Sequence, residues 1–426
     1  MTKKLDTTPY KGVRDFYPED MWLQKHTFDV IRKAVEKFGY VEYGASILEP
    51  ADLYKAKSGE EIINEQTYTF TDRGGREVTL RPEMTPTVAR MVAHRKRDLG
   101  FPLRWYSIPN LFRYENPQRG RLREHYQLNV DIFGVSDTSA EIEVLQIAHN
   151  IMGAFGATET DFSILINSRK LLNALFTSFD ISPEQAHILS KTIDKKEKMA
   201  AVAFEAEIEK IVGQGTQEFI ALLTSGDALI EKYGDENESV VLLSQIMESL
   251  RKLGITNVVF TPTLMRGFDY YTDIVFEVFD KHPDNRRSLF GGGRYDNLLE
   301  LFGNETVPAV GFGMGDVTLE DFLRSHNLLP AYKAQTHAML ATVGSVDTSE
   351  INSIAEALRK SGLNIALNTM GKKPADVIKV SLKQSIPYII FVGEDEIAKK
   401  QYTLKNLATE ETVTLSLDEV VNKIKS

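Results

Sequence analysis

The chain has 426 residues, 42% of them hydrophobic and 26% charged, and a formal net charge of −10. That length exceeds one ordinary core, so two or three domains of a soluble globular protein are expected. Its lack of cysteine excludes disulfides, thiolate zinc sites and cysteine nucleophiles, and fits a reducing compartment.

The N-terminus, MTKKLDTTPYKGVRDF, has no apolar stretch of the secretory kind. No apolar run approaches the 20 or so residues of a membrane span. No membrane partner and a cytoplasmic location are therefore expected. Residues 21–38 have helical apolar spacing, through Trp22, Phe28, Ile31, Val35 and Phe38, and stop at the capping residue Gly39. Residues 68–80 read as a hairpin turning at Gly74-Gly75. A helix follows Pro86. Two strands are expected around a polar loop, Arg104–Tyr114 and Glu124–Phe133, with ENPQRGR between them. Another helix begins near Ser139.

Residues 170–255 change character: they are helical, rich in Lys, Glu, Ala and Leu, and lack pocket-like clusters. They read as an insertion between two halves of one domain, residues 1–169 and 256–326. Strand composition returns in 256–324, above all in Ile274–Val278. After a linker at Asn327–Thr336, strand and helix signals alternate. Residues 331–426 therefore read as a small α/β domain.

Net charge argues against nucleic-acid binding, but phosphate contacts come from local patches. Residues 94–123 hold such a patch: His94, Arg95, Lys96, Arg97, Arg104, Arg113, Arg119, Arg121 and Arg123. Alternation along a strand would set Arg119, Arg121 and Arg123 on one surface, where three like charges call for an anion such as a polyphosphate. Cations on a solvated hairpin are the competing reading. In LRPEMTPT, Arg81, Glu83 and Thr85 share one side of an extended segment, and Glu83 suits an ammonium or a nucleotide amine unless it is simply paired with Arg81. Gln127 and Asp131 share a strand face, a sensible receptor for an α-amino group. Two further clusters, Arg266-Gly267 with Asp269, Tyr270 and Tyr271, and GGGRYD at 291–296, repeat the same chemistry and point to one polar pocket on a sheet. Against this stands an arginine paired to Asp269 beside ordinary sheet tyrosines.

These segments resemble the histidine–tRNA ligases, class II aminoacyl-tRNA synthetases. FRYENPQRGRLREHYQLNVDIFG is similar to the class II motif 2 hairpin. RGFDYYTDIVFEV and GGGRYD are similar to the two histidine signatures, LRPEMTPT to the amino-acid and ATP loop, and KGVRDFYPED to the N-terminus. The resemblance runs from about residue 10 to the end. It implies an α+β fold: an antiparallel-sheet catalytic core with a helical insertion, then an anticodon-binding α/β domain at 331–426. The implied partners are L-histidine, ATP and tRNA(His), with magnesium carried by ATP and a homodimeric assembly. The implied reaction forms histidyl-adenylate and then charges the tRNA.

By the same resemblance Arg113 holds the α-phosphate, and Arg121 and Arg123 lie toward the outer phosphates. Glu115, His125 and Tyr126 complete the ATP set. Glu83, Thr85, Gln127 and Asp131 surround the histidine amino group, and Tyr270, Tyr271 and Tyr295 its imidazole. Arg266 sits between the carboxylate and the α-phosphate as an electrostatic catalyst. Three positions depart from the family pattern: Thr318 replaces the motif 3 arginine, Ser46 the motif 1 proline, and His125 the aromatic stacked on adenine. A silent paralogue, such as the synthetase-like regulatory subunit of ATP phosphoribosyltransferase, is the alternative. It usually lacks both the histidine signatures and the last domain.

Overall fold

The computed structural model describes residues 5–55, 66–234, 236–265, 270–285, 287–303, 306–368 and 373–426. The chain divides into two compact units, residues 1–15 with 25–329, and 16–24 with 330–426.

The strands of the larger unit, in chain order, are Val41–Glu42 (β1), Leu48–Pro50 (β2), Tyr68–Thr71 (β3), Glu77–Leu80 (β4), Leu103–Ser107 (β5), Asn110–Phe112 (β6), Glu124–Phe133 (β7), Phe162–Ser168 (β8), Val258–Phe260 (β9), Ile274–Asp280 (β10), Ser288–Arg294 (β11) and Ala309–Gly315 (β12). Among the described residues nine of them form one sheet in the order β1-β5-β7-β12-β11-β10-β8-β9, with β6 also on β7. Pairing is antiparallel except at β1–β5 and β8–β9. β2, β4 and β3 make a separate small sheet.

The expected strand 104–114 is broken. It forms β5 and β6, separated by Ile108 and Pro109. Pro109 has no N–H to give a ladder, while its carbonyl accepts from the Gln127 amide at 3.0 Å.

The sheet's two faces have different fates. Leu128, Val130 and Ile132 of β7 join Val310 and Phe312 of β12 beneath the helix Ser139–Ala154, which buries Val144, Leu145, Ala148 and Ile151. This is the main core, and Phe28, Ile31 and Val35 of the helix Pro18–Glu36 belong to it. The opposite face carries a second cluster, in which Val88, Ala89 and Val92 of the helix Thr85–Arg95 pack with Tyr270, Tyr271, Val275 and Tyr295. Between β8 and β9 the chain forms helices Arg169–Ser178, Pro183–Asp194, Ala201–Val212, Thr216–Thr224, Gly226–Tyr233 and Glu238–Lys252. No described helix is long and apolar enough to cross a membrane.

The smaller unit contains Ala338–Thr342 (β13), Ile365–Leu367 (β14), Tyr388–Val392 (β15), Tyr402–Asn406 (β16) and Thr412–Leu415 (β17), in the order β14-β13-β15-β16-β17. Its first three strands pair in parallel and the last two antiparallel. Helices Thr348–Lys360 and Leu417–Lys425 contribute to one apolar cluster, and Pro374–Lys383 to another.

Candidate active site

Period-two alternation aims Gln127, Asn129 and Asp131 of β7 away from the main core. They line a cleft with Glu83, Thr85, Arg113, Tyr270, Tyr271 and Tyr295. Its floor is almost bare backbone. Gly291 pairs with Gly313, and Gly293 with Gly311, across β11 and β12. A Cβ on Gly311 would stand 2.3 Å from Asp131 Oδ1, one on Gly313 2.9 Å from the Gln127 amide carbon, and one on Gly293 2.9 Å from the Tyr271 ring. Glycine weakens a strand, and here it clears the space that the polar side chains occupy.

At one end the site is densely packed and buried. The Tyr295 hydroxyl donates to Asp131 Oδ1, and the Tyr270 hydroxyl donates to Glu83 Oε2 at 3.3 Å. Tyr270 packs against Tyr271 at 4.9 Å and against Tyr295 at 5.9 Å between ring centres. The Tyr271 carbonyl is held by Arg169 Nη1 at 3.0 Å.

Asp131 is only 3% exposed. Its second oxygen, Oδ2, is buried with no hydrogen-bond partner among the described residues. Desolvation pushes this carboxyl up to about 7 against the opposing hydrogen bond from Tyr295. Burial, with Asp131 beside it, drives the Tyr295 phenol far upward and keeps it protonated. An orphaned carboxylate oxygen is costly unless a ligand supplies a donor, and an ammonium supplies both donor and charge.

The other end is looser. Arg113 Nε donates to the Pro82 carbonyl at 2.9 Å, which fixes its stem at the cleft wall. Beyond it the loop turns at Arg119-Gly120, where Gln118 and Arg121 exchange backbone hydrogen bonds of 3.0 and 2.9 Å. Gly120 has φ +77°, a left-handed value that favours glycine. Arg121 is 62% exposed and lies 3.8 Å from Glu115.

Arg123 does not share that surface. It precedes β7, is 6% exposed, stacks on Tyr114 at 4.0 Å, and bonds the Glu115 carbonyl and the Tyr10 hydroxyl. The strand alternation expected for Arg119, Arg121 and Arg123 fails because the loop is a tight turn, so Arg123 braces the loop from beneath.

The face rule also separates His125 from Tyr126. The Tyr126 ring packs on Phe28 at 5.5 Å, on the core side, and its backbone N–H donates to Asp316 Oδ1. His125 is held down to about 3 by burial first and then by Arg113 and Arg14, so it is a neutral ring.

Two other expectations are revised. Arg81 does not pair with Glu83: it is buried and donates to the Asn110 and Ala45 carbonyls at 3.0 and 2.9 Å. Thr85 starts a helix instead of continuing an extended run. Within GGGRYD only Gly291, Gly293 and Tyr295 face the cleft side of β11. Arg294 points to the other side of β11, in a buried pair with Glu141 at 2.6 Å. Arg266 and Asp269 lie outside the described residues. Sequence reasoning missed Asn129 and the floor glycines Gly311 and Gly313. The period-two run through Gln127 and Asp131 was the available signal for Asn129.

Residues 12–318 match the family described as histidyl-tRNA synthetase, and residues 337–426 an anticodon binding domain. The histidine–tRNA ligase of Leptospira biflexa serovar Patoc is 43% identical, over 99% of this chain and 98% of that protein. The crystal structure of histidyl-tRNA synthetase from Nostoc sp. PCC 7120 superposes with a TM-score of 0.84, at 23% identity and 99% coverage of each chain, which shows the fold. An ATP phosphoribosyltransferase regulatory subunit/histidyl-tRNA synthetase from Bacillus halodurans gives a TM-score of 0.75 at 25% identity, over 92% of this chain and all of that one. With a relative of that identity spanning nearly its whole length, and a family match over most of it, this chain belongs to the histidyl-tRNA synthetase family.

Proposed function

We propose that the protein attaches L-histidine to tRNA(His) through a histidyl-adenylate. The observation that carries this reading is the buried, unpartnered Asp131 Oδ2, set among Gln127, Asn129 and three phenols over a glycine floor. The histidine ammonium would meet Asp131, with Glu83, Thr85 and Gln127 around it. The Tyr271 and Tyr295 hydroxyls would match the donor and acceptor nitrogens of the imidazole, with Tyr270 orienting them. A histidine carboxylate oxygen attacks the α-phosphorus of ATP and pyrophosphate leaves. The terminal adenosine hydroxyl of the tRNA then attacks the carbonyl carbon and AMP leaves. No protein nucleophile is required: the protein's part is positioning and charge stabilisation, assigned to Arg113 and Arg266.

Magnesium enters with the triphosphate. Glu115 and Arg121 belong to the ATP end, with the neutral His125 ring as the surface for adenine; Tyr126 and Arg123 support that end from behind. Residues 331–426 are assigned to reading the tRNA, with Asn368 and Lys373 among the contacts. Lys372 of the same loop, an expected contact on the same chemistry of amides and cations, lies outside the described residues. A homodimer in the cytoplasm completes the reading.

Thr318 at the motif 3 position favours a second reading, a silent regulatory paralogue. ATP–pyrophosphate exchange across the amino acids separates the two. Exchange with histidine alone is expected, and folded protein without histidine exchange would leave the regulatory reading.

A further inference from the structure

The family pattern places an arginine at position 318, on the helix Asp316–Ser325, to clamp the tail of ATP. Thr318 offers no charge, and it is occupied: its hydroxyl donates to the Leu289 carbonyl at 2.8 Å, with the Gly315 carbonyl at 3.2 Å. Arg324, further along the helix, is exposed and paired with Glu320 at 2.8 Å.

A different arginine stands beside Thr318. Arg287, immediately before β11, extends across to the tip of the 113–123 loop. Its Nη1 donates to the Arg119 carbonyl at 3.1 Å. A Cβ on Gly120 would lie 2.1 Å from that nitrogen and 3.7 Å from Thr318 Cγ2. The guanidinium thus fills the gap between loop and helix at the point where Gly120 and Thr318 are both small. Asp321 completes the group. Its Oδ2 lies 3.6 Å from Arg287 and 3.5 Å from Arg119, and although buried it has no hydrogen bond among the described residues. Two guanidiniums therefore share one carboxylate at contacts longer than a charge-assisted hydrogen bond. That is a weak hold, which a polyphosphate with several oxygens can outcompete.

We propose that Arg287 supplies the outer-phosphate cation of ATP that position 318 lacks, with Asp321 holding it and Arg119 in place until nucleotide arrives. The charge then comes from the residue that precedes β11 instead of from the helix, and the loop tip it touches is the one that carries Arg119 and Arg121. This inference rests on the histidine-activation reading above.

The test is ATP–pyrophosphate exchange with separate KM values for ATP and histidine, on the wild type, Arg287→Ala, and the transposed variant Arg287→Ala/Thr318→Arg. Arg287→Ala is expected to raise the KM for ATP by about 10-fold or more, the scale of one lost charged hydrogen bond, with the histidine KM nearly unchanged. The transposed variant is expected to recover most of that loss. An unchanged ATP KM, an equal loss for both substrates, or a selective loss without recovery in a folded transposed protein overturns the proposal; the last would make Arg287 a loop brace only. If thermal unfolding shows that the transposed variant does not fold, inorganic tripolyphosphate binding decides, with weaker binding to Arg287→Ala than to wild type expected and equal binding overturning it. Wild-type exchange with histidine tests the underlying reading separately, and tripolyphosphate binding tests Arg287 even if that exchange is absent.

Discussion

Around Tyr295 the cleft is built from buried polar groups that bond one another directly, whereas around Arg121 the cations are partly or largely exposed and their anionic partners lie 3.5 to 3.8 Å away. The first arrangement pays its desolvation cost on folding and leaves one carboxylate oxygen waiting. The second keeps its charges hydrated and exchangeable. Discrimination between amino acids needs the former, because an unmatched buried group penalises a wrong ligand heavily. Capture and release of a triphosphate and pyrophosphate suit the latter, since loosely held pairs let the anion leave.

Perturbing the two ends should therefore have effects of different size and kind. The largest is expected at Asp131. Asp131→Ala should lower kcat/KM for histidine in the exchange assay by about 10³-fold, as for one partner of a buried charge pair, with the KM for ATP nearly constant. A comparable rise in both KM values would dissolve the distinction between the ends.

Next in size is Arg113, at the junction. Arg113→Ala should reduce kcat by about 10²-fold, as expected for a preorganised donor at a developing anion. An effect confined to the ATP KM would place Arg113 with the outer, exchangeable cations.

At the open end, Arg121→Ala should raise the KM for ATP by no more than about 10-fold, and the difference from wild type should shrink as salt is added. A salt-independent loss would mean that Arg121 is desolvated in the working complex.

The smallest effect concerns protons. The folded Asp131 carboxyl sits near 7, above its ordinary value of 3.8. Its contribution to stability is therefore complete below 3.8 and is lost as pH rises through about 7. Thermal unfolding of the ligand-free protein should show that decline, and Asp131→Asn should flatten it. Histidine binding near pH 7 should release a fraction of a proton as the ammonium draws Asp131 into its charged form. Calorimetry in buffers of different ionisation enthalpy reads this directly, and binding without proton release would place the ammonium elsewhere.

Regular alternation made the tight end readable from sequence. Gln127 and Asp131 sit four apart on a ten-residue strand, so their shared face follows from geometry alone. The two tyrosine clusters meet because β10 and β11 are neighbours. At the loose end the same reasoning fails. Arg123 and Arg121 differ by two positions in a loop, and nothing local says that one lies under Tyr114 while the other faces solvent. Arg294 misleads for a related reason. It sits inside a pocket motif, but its partner Glu141 comes from a helix 153 residues away in sequence. The break of β5 from β6 was signalled by Pro109, and Pro86, in the first turn of the helix Thr85–Arg95, signalled that helix to within two residues of its start.

The glycine floor has a consequence for redesign. A pocket walled by side chains can be retuned by enlarging or trimming any of them. Here Gly293, Gly311 and Gly313 have nothing to trim, and a methyl added to any of them would come within 3 Å of its nearest neighbour. On the histidine-activation reading, directed evolution toward another amino acid therefore works through the side chains of the wall, Tyr271, Tyr295 and Gln127 among them, leaving the sheet beneath as a fixed gauge of ligand depth.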